Sequence, residues 1–236
     1  MKVTWLGQSG FLFETQSQRL LIDPFYSDIV EQRQGIKRLV SAPIPIEDLH
    51  PDYIFITHDH LDHLDPIALP EIHRQYPQAK IVGPESVMRK ALELEFDPGA
   101  LIQQPKGASH TFGAFKITST AAYHSDPFAV GMAIEVEGKR IYYSGDTLLM
   151  PTLYEEIYRM TGPSPDLVFI VINGRLGNMN VQEAIALTAQ LQPSLAIPMH
   201  YGMFAENTED PYLFLAGCDQ NQIKAMALTL GKTVVL

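Results

Sequence analysis

The sequence predicts an α/β (α+β) protein in which residues 1–236 form a single domain. Apolar, strand-like runs alternate with helix-like stretches in both halves of the chain, and this alternation is typical of βαβ units. The halves also echo each other, because 52–58 and 166–173 are each an Asp-led apolar strand that ends at a polar loop. A length of 236 residues is sufficient for one large hydrophobic core.

The first half is predicted to contain the following elements: short strands within 2–22 separated by a turn at 7–10, a strand at 53–56, a helix from Pro66 to near Pro77, a strand at 80–83 and a helix at 84–95. Asp65 is placed to cap the first of these helices. Residues 24–50 show no clear period, so we expect a surface excursion with one short helix around 29–39. Such an excursion would border the mouth of a site at the strand ends.

The second half is predicted to contain the following elements: strands at 114–119, 130–136 and 140–143, a helix at 151–162, a strand at 166–172, a helix at 180–191, a strand at 195–199, a helix at 211–230 and a last strand at 234–235. The sequence Glu-Gly-Lys at 137–139 predicts a tight hairpin turn. Asn180 is placed to cap the helix that follows it. His110 precedes a turn-like sequence and is assigned no ligand role.

Charge and composition limit the classes of partner. The net charge of −10 argues against nucleic acid, because phosphate backbones are bound by clustered Lys and Arg. The one cysteine, Cys218, cannot form a disulfide within the chain and fits a reducing cytoplasm. Residues 1–6 run directly into strand-like sequence, and no apolar run approaches the roughly 20 residues that span a bilayer. We therefore expect a cytoplasmic protein that acts on a small molecule, without a nucleic-acid or membrane partner.

The most informative stretch is 57–65, which reads T-H-D-H-L-D-H-L-D and follows the apolar run 53–56. Three of the eight histidines of the chain fall within six positions here. His58 and His60 are two residues apart, so they point to the same side of an extended segment. Imidazole nitrogens and carboxylate oxygens are ligands that zinc, manganese and iron prefer. A metal site at a strand end therefore explains this stretch better than a chance polar turn.

Three later segments repeat the arrangement of a polar side chain directly after an apolar run. One follows a strand of small residues near 121, one follows 141–143 and one follows 195–199. A loop at a strand end can direct several side chains at one point, while the strand holds the backbone behind them. The candidate metal ligands are His58, His60, Asp62, His63, His124, Asp146 and His200.

The H-x-H-x-D-H motif at 58–63, followed in order by a His, an Asp and a His at strand ends, resembles the signature of the metallo-β-lactamase superfamily. The resemblance implies a four-layer αββα sandwich and a centre with one or two divalent ions of zinc, manganese or iron. The implied ligand sets are His58, His60 and His124 for a first ion and Asp62, His63 and His200 for a second, with Asp146 bridging the two. Asp23 would accept hydrogen bonds from loop amides or a ligand histidine; a plain Asp-Pro turn is the alternative.

The chemistry that the resemblance implies is hydrolysis. Two divalent ions would activate a water as hydroxide and polarise the electrophile, and Asp62 would orient that hydroxide or carry a proton to the leaving group. Asp146 stands where the best-known zinc β-lactamases carry a cysteine, and this difference disfavours a β-lactam substrate. The intact His60 disfavours the redox chemistry of diiron members, in which a glutamate replaces part of this motif.

A closer resemblance, to the branch that includes ascorbate-6-phosphate lactonase, rests on T-H-D-H-L-D-H, S-G-D-T, I-N-G-R and P-M-H-Y-G-M-F-A-E-N-T-E-D-P. It implies a lactone or other ester of a small anionic substrate, such as a phosphorylated sugar. Arg175, flanked by Asn173 and Asn178, is then the candidate phosphate contact; a turn with a salt-bridging Arg is the alternative. A phosphodiesterase-type hydrolase and a non-catalytic metal-binding protein stay open as functions, and so does assembly into a homo-oligomer.

Overall fold

The computed structural model describes residues 1–236. Its strands are β1 Lys2–Gly7, β2 Gly10–Glu14, β3 Arg19–Ile22, β4 Tyr53–Phe55, β5 Lys80–Gly83, β6 Leu101–Gln103, β7 Ser109–Phe112, β8 Phe115–Ala121, β9 Val130–Val136, β10 Lys139–Tyr143, β11 Leu167–Val171, β12 Leu195–Met199 and β13 Thr233–Val235. Its helices are α1 Ile29–Gln34, α2 Ala68–Gln75, α3 Glu85–Glu93, α4 Leu153–Thr161, α5 Val181–Leu191 and α6 Pro211–Gln220. The strands form two mixed sheets, in the orders β13-β1-β2-β3-β4-β5-β6 and β12-β11-β10-β9-β8-β7.

The two sheets face each other, and helices cover their outer sides. Successive side chains of a strand point to opposite faces, so Ile22 of β3 lies in the core between the sheets while Leu21 packs on the side of α2 and α3. Phe169 of β11 contacts Phe11 and Phe13 of β2 across that core, with ring centroids 5.0 and 5.3 Å apart. Helices α4 and α5 contact the second sheet. The predicted four-layer αββα sandwich is therefore confirmed.

Local sequence explains several boundaries. Glu137 and Gly138 both have positive φ angles, of 48° and 76°, as a two-residue hairpin turn between β9 and β10 requires. Asn180 caps α5 through a capping box with Glu183. Helix α1 ends at Gln34 rather than near 39, because Gly35 takes up a left-handed conformation that closes the helix.

Two other predictions about the elements were wrong. The last helix ends at Gln220 rather than at 230, and the chain beyond it pairs with the edge of β12 instead. There the backbone N–H of Ala196 donates to Lys224 O at 2.9 Å, and Met226 N–H donates to Ala196 O at 3.0 Å. A turn was expected directly after His110, but His110 lies within strand β7, which pairs with β8. None of the helices is both long enough and apolar enough to pass through a membrane.

Residues 24–50 are fixed against the rest of the fold by the carboxylate of Asp65. This carboxylate accepts hydrogen bonds from Ile67 N and Ala68 N at the start of α2, both at 3.0 Å, as the predicted cap does. It also accepts from the backbone N–H groups of Tyr26 and Ser27, at 3.0 and 2.7 Å. One buried side chain therefore links the excursion to the loop that carries the histidine motif.

Candidate metal centre

Four loops at one edge of the sandwich bring all seven candidate ligands together. They follow β4, β8, β10 and β12, and each begins where its strand leaves the core. The ligand atoms form three overlapping groups, with all atoms of a group within 4.8 Å of one another: His58, His60 and His124; His58, His63 and Asp146; and Asp62, His63 and His200. The first and third groups are the two ligand sets that the resemblance implies.

In the first set, hydrogen bonds to the far ring nitrogens decide which nitrogens remain free. The Thr57 hydroxyl donates to Asp23 Oδ2 at 2.7 Å, so its oxygen accepts from His58 Nδ1 at 3.0 Å and leaves His58 Nε2 free. His124 Nδ1 lies 3.0 Å from the carbonyl oxygen of Gly177. Since a carbonyl can only accept, His124 Nε2 is the nitrogen with a lone pair.

His60 completes this set through its other ring nitrogen. His60 Nε2 lies 3.1 Å from the hydroxyl of Ser125, and His60 Nδ1 lies 3.1 Å from His124 Nε2. His60 Nδ1 faces the lone pair of His124 Nε2 at this distance, so a cation between the rings could take both nitrogens as ligands. Sequence reasoning did not single out Ser125 or Gly177, although both lie beside predicted ligands or contacts.

The second set is held by Asp23. His63 Nδ1 donates to Asp23 Oδ2 at 2.8 Å, and Asp23 Oδ1 accepts from the backbone N–H of Thr57 at 2.8 Å. Both Asp23 and His63 are fully buried. As predicted, Asp23 accepts hydrogen bonds from a candidate ligand histidine and from a loop amide, and the plain Asp-Pro turn is not what the structure shows.

Asp146 lies between the two sets. Its Oδ2 is 3.1 Å from His200 Nε2 and 3.8 Å from His124 Nε2, while its Oδ1 is 3.4 Å from His63 Nε2. One carboxylate therefore reaches ligands of both sets, as a bridging role requires.

Gln8 is a further contact of the centre that sequence reasoning missed. Its Nε2 donates to Asp62 Oδ2 at 2.7 Å and lies 3.2 Å from His200 Nε2. The backbone carbonyl oxygen of Gln8 accepts from the backbone N–H of His200 at 3.0 Å. The φ angles of Gln8, Asp23 and His200 are 51°, 42° and 65°, a region that costs energy for residues other than glycine. Three of the ten non-glycine residues with positive φ are therefore at the centre.

Burial and mutual charge shift the pKa values of the ligands strongly. Burial, followed by the proximity of His63, holds the pKa of His58 well below its ordinary value, so His58 is neutral and free to bind a metal. Burial opposes the protonation of His63, but the carboxylates around it, led by Asp146, raise its pKa well above the ordinary range. The pKa of Asp146 lies well below the usual value because the attraction of His200 and His63 outweighs its burial.

The residues fit one or two divalent cations. His58 Nε2, His63 Nε2 and Asp146 Oδ1 are buried and have no hydrogen-bond partner, and such atoms are rare in native proteins unless an ion or water satisfies them. Imidazole and carboxylate donors without a thiolate are shared by zinc, manganese and iron, so the donors alone do not select the metal.

Of the predicted substrate contacts, Asn173 and Asn178 are hydrogen-bonded to each other beside Asp146, whereas Arg175 is exposed. Asn178 Nδ2 donates to Asp146 Oδ2 at 2.7 Å and to Asn173 Oδ1 at 3.0 Å. Asn173 Nδ2 donates in turn to Asn207 Oδ1 at 2.7 Å. The Arg175 side chain is 55 % exposed, and its guanidinium lies 3.9 Å from the carboxylate of Glu209.

A cavity of about 610 Å³ opens over the centre. Both predicted metal sets reach it, and so do Asn178 and Asn207, whereas Arg175 and Asn173 do not line it. Val30, Gln34 and Ile36 form part of its wall, which confirms that the excursion at 24–50 borders the site. A second cavity of similar volume, about 590 Å³, lies near Met1 and is lined by none of the candidate ligands.

Comparison with known proteins agrees with this geometry. Residues 18–201 match the family model described as the β-lactamase superfamily domain. A UPF0173 metal-dependent hydrolase of Archaeoglobus fulgidus is 30 % identical over 225 residues, which cover 89 % of this chain and 87 % of the relative. One of Methanosarcina mazei is 29 % identical over 250 residues, which cover 100 % and 99 % of the two chains.

Two solved structures share the fold. Igni18, a metallo hydrolase from the hyperthermophilic archaeon Ignicoccus hospitalis, superposes with a TM-score of 0.77 at 24 % identity and covers 99 % of this chain and 97 % of its own. An isothiocyanate hydrolase from Delia radicum gut bacteria gives 0.79 at 17 % identity, with coverage of 100 % and 99 %. With the family model and the archaeal relatives, the chain belongs to the UPF0173 metal-dependent hydrolase family of the metallo-β-lactamase superfamily.

Proposed function

We propose that this protein hydrolyses a lactone or another carboxylic ester of a small molecule. One observation carries the proposal: seven donor side chains, with Asp62 and Asp146 both intact, lie together, and five of them line a cavity of small-molecule size. A protein that only binds a metal needs three or four donors. Seven donors in two linked sets favour a hydrolytic centre over the non-catalytic alternative.

Bound divalent cations would supply a water activated as hydroxide and would polarise the carbonyl group of the substrate. The chain itself would orient that water and move its proton through Asp62, whose side chain reaches the cavity. Gln8 holds Asp62 by a 2.7 Å hydrogen bond, and the surrounding histidines keep the pKa of Asp62 below its usual value despite burial. Asp62 is therefore ionised and can accept a hydrogen bond or a proton.

The narrower prediction, an anionic substrate such as a phosphorylated sugar, depends on Arg175. That guanidinium lies outside the cavity wall and faces Glu209. Hydrolysis of a phosphorylated sugar lactone, as in the ascorbate-6-phosphate lactonase branch, is therefore a rival proposal, and so is a phosphodiesterase activity. Both are to be tested beside hydrolysis of a neutral ester. A cytoplasmic location stays a prediction.

The test combines metal analysis with an activity panel. Protein purified without chelator would be examined for bound zinc, manganese and iron, and then assayed on neutral esters and lactones, a lactone of a sugar phosphate and bis(4-nitrophenyl) phosphate. We expect turnover of esters or lactones, and a loss of at least about 100-fold in kcat for Asp62→Ala. Asp219→Ala, an exposed site on α6, is the matched control and should retain activity. A metal-loaded protein that turns over no substrate of the panel would refute the catalytic proposal.

A further inference from the structure

Beyond the candidate metal ligands, half of the ten residues that line the cavity are apolar and none is a cation. Val30, Ile36, Leu61, Leu176 and Phe204 line it, and neither Lys nor Arg is among the lining residues. The carboxylate of Asp59 also lines the cavity, although Asp59 belongs to no ligand group. An anionic group of a substrate that lies away from the metals would therefore meet apolar surface and the like charge of Asp59.

This apolar wall is built into the fold. Val30 and Phe204 are 4 % and 2 % exposed and belong to one hydrophobic cluster, against which Ile36 and Leu61 pack. The cluster joins α1 to the loop after β12, where Arg38 and Phe204 form a backbone bridge. A packed wall of this kind does not rearrange readily to bind a charged group.

Leu176 is the member of the wall that folding does not explain. Its side chain is 72 % exposed, so it contributes little buried area, and its φ angle is 52°. A bulky residue is unfavourable in this region of φ, and Asn or Gly would be favoured there. An apolar side chain at this position, on the lining of the cavity, is placed to contact a ligand.

Apart from Asp59, the polar side chains of the cavity wall beyond the metal ligands are neutral: Gln34, Ser125, Asn178 and Asn207. Asn178 is 5 % exposed, its Nδ2 is occupied by Asp146 and Asn173, and its Oδ1 has no hydrogen-bond partner. A buried amide oxygen that lines a cavity accepts a hydrogen bond from a hydroxyl or an N–H group of a ligand. It would repel a carboxylate or a phosphate.

We infer that the substrate is an uncharged ester or lactone with an aliphatic or aromatic chain that lies between Leu176 and the wall of Val30 and Phe204. This inference rests on the proposed hydrolysis and narrows its substrate class. In the reaction, the oxygen of water bonds to the carbonyl carbon and the ester C–O bond breaks. The leaving oxygen takes a proton, so that an alcohol, a carboxylate and one released proton are formed.

The test is a pair of esters that differ in charge but not in shape: 4-nitrophenyl 5-methylhexanoate and 4-nitrophenyl hydrogen glutarate, each corrected for its uncatalysed rate. We expect kcat/KM to favour the neutral ester by at least about tenfold. The matching phenyl ketones, 5-methyl-1-phenylhexan-1-one and 5-oxo-5-phenylpentanoate, cannot be hydrolysed. Calorimetry on metal-loaded protein should show the same preference in binding.

The two assays distinguish failure of the proposed hydrolysis from failure of the uncharged substrate class. Turnover of both esters without a preference for the neutral one overturns the uncharged substrate class and leaves hydrolysis standing. Binding of the charged ketone at least as tight as that of the neutral one overturns the substrate class alone. Binding that prefers the neutral ketone, with neither ester turned over, overturns the proposed hydrolysis and supports the substrate class. Absence of binding by the neutral ketone overturns the inference.

Variants at the cavity mouth provide an independent check. Leu176→Lys should shift the ratio of kcat/KM for the neutral and the charged ester by about tenfold toward the charged one. Leu176→Asn, which suits the local backbone, should lower kcat/KM for the neutral ester alone. Leu213→Lys, the same change at an exposed site of α6 outside the cavity, is the control and should leave the ratio unchanged. An unchanged ratio in Leu176→Lys would contradict the assigned role of Leu176.

Discussion

Replacement of Asp23 by Asn should weaken metal binding selectively. Asp23 accepts three hydrogen bonds, from Thr57 N, Thr57 Oγ1 and His63 Nδ1, at 2.8, 2.7 and 2.8 Å. An Asn side chain has the same shape but only one oxygen, so its NH2 group must face at least one of these donors. The charge that stabilises the N–H of His63 is also lost. The imidazole ring would then be free to rotate away from Asp146.

The size of the effect follows from the lost contact. A hydrogen bond to a charged group is worth about 1.5–3 kcal/mol, and each 1.4 kcal/mol corresponds to about a tenfold change in an equilibrium constant. We therefore expect the Kd of the ion held by Asp62, His63 and His200 to rise by about 10–100-fold, the range typical of a residue that orients a metal ligand.

The assay is competition with a chromophoric chelator, followed by kcat measurement at saturating metal. Asp52→Asn is the matched control, because Asp52 accepts a hydrogen bond from the backbone N–H of Arg19 at 2.8 Å and lies at the opposite end of β4. Circular dichroism would establish that both variants are folded. Metal affinity of Asp23→Asn equal to that of Asp52→Asn would refute the argument that Asp23 orients His63.

Three further predictions address the ligands and the fold. Gly177→Ala would place a Cβ 3.1 Å from His124 Nδ1 at a φ of +91°, so chelator competition should show weaker metal binding. Gly138→Ala is the control, at a φ of +76° with open space around it. It should lose comparable stability in thermal melts but bind metal normally. Metal at 100 times its Kd should stabilise the protein by about 2.7 kcal/mol, and a Tm raised by roughly 5–10 °C over chelated protein would show it. Burial raises the pKa of Cys218 to about 11. An aromatic disulfide reagent at pH 8 should therefore react slowly with the native protein and stoichiometrically in denaturant. Rapid reaction of the native protein would show that α6 opens.

The ligands could be predicted from the sequence because each follows an apolar strand, and the carboxyl ends of those strands meet at one edge. Gln8 could not be predicted, because it lies 54 positions from Asp62 and meets it through the pairing of β1, β2, β3 and β4 in the first sheet. Arg175 has the chemistry of a phosphate ligand, but the direction of a side chain in a glycine-flanked loop is set by tertiary contacts such as Glu209. The end of α6 at Gln220 could not be predicted for a similar reason. The residues after it pair with the edge of β12, and helix propensity takes no account of such a tertiary contact.

The distribution of ligands along the chain ties metal binding to the docking of the two sheets. The first set takes His58 and His60 from the loop after β4 in the first sheet and His124 from the loop after β8 in the second. The second set likewise combines Asp62 and His63 with His200, which follows β12. Each bound ion would therefore connect the two halves of the sandwich rather than order one loop. Because the unfolded chain lacks this arrangement, the free energy of binding adds to that of folding. Metal loss should thus loosen the interface between the sheets, so hydrogen exchange at β4 and β12 should accelerate together after chelation. Acceleration confined to the loop at 57–65 would show instead that the apolar core alone holds the sheets.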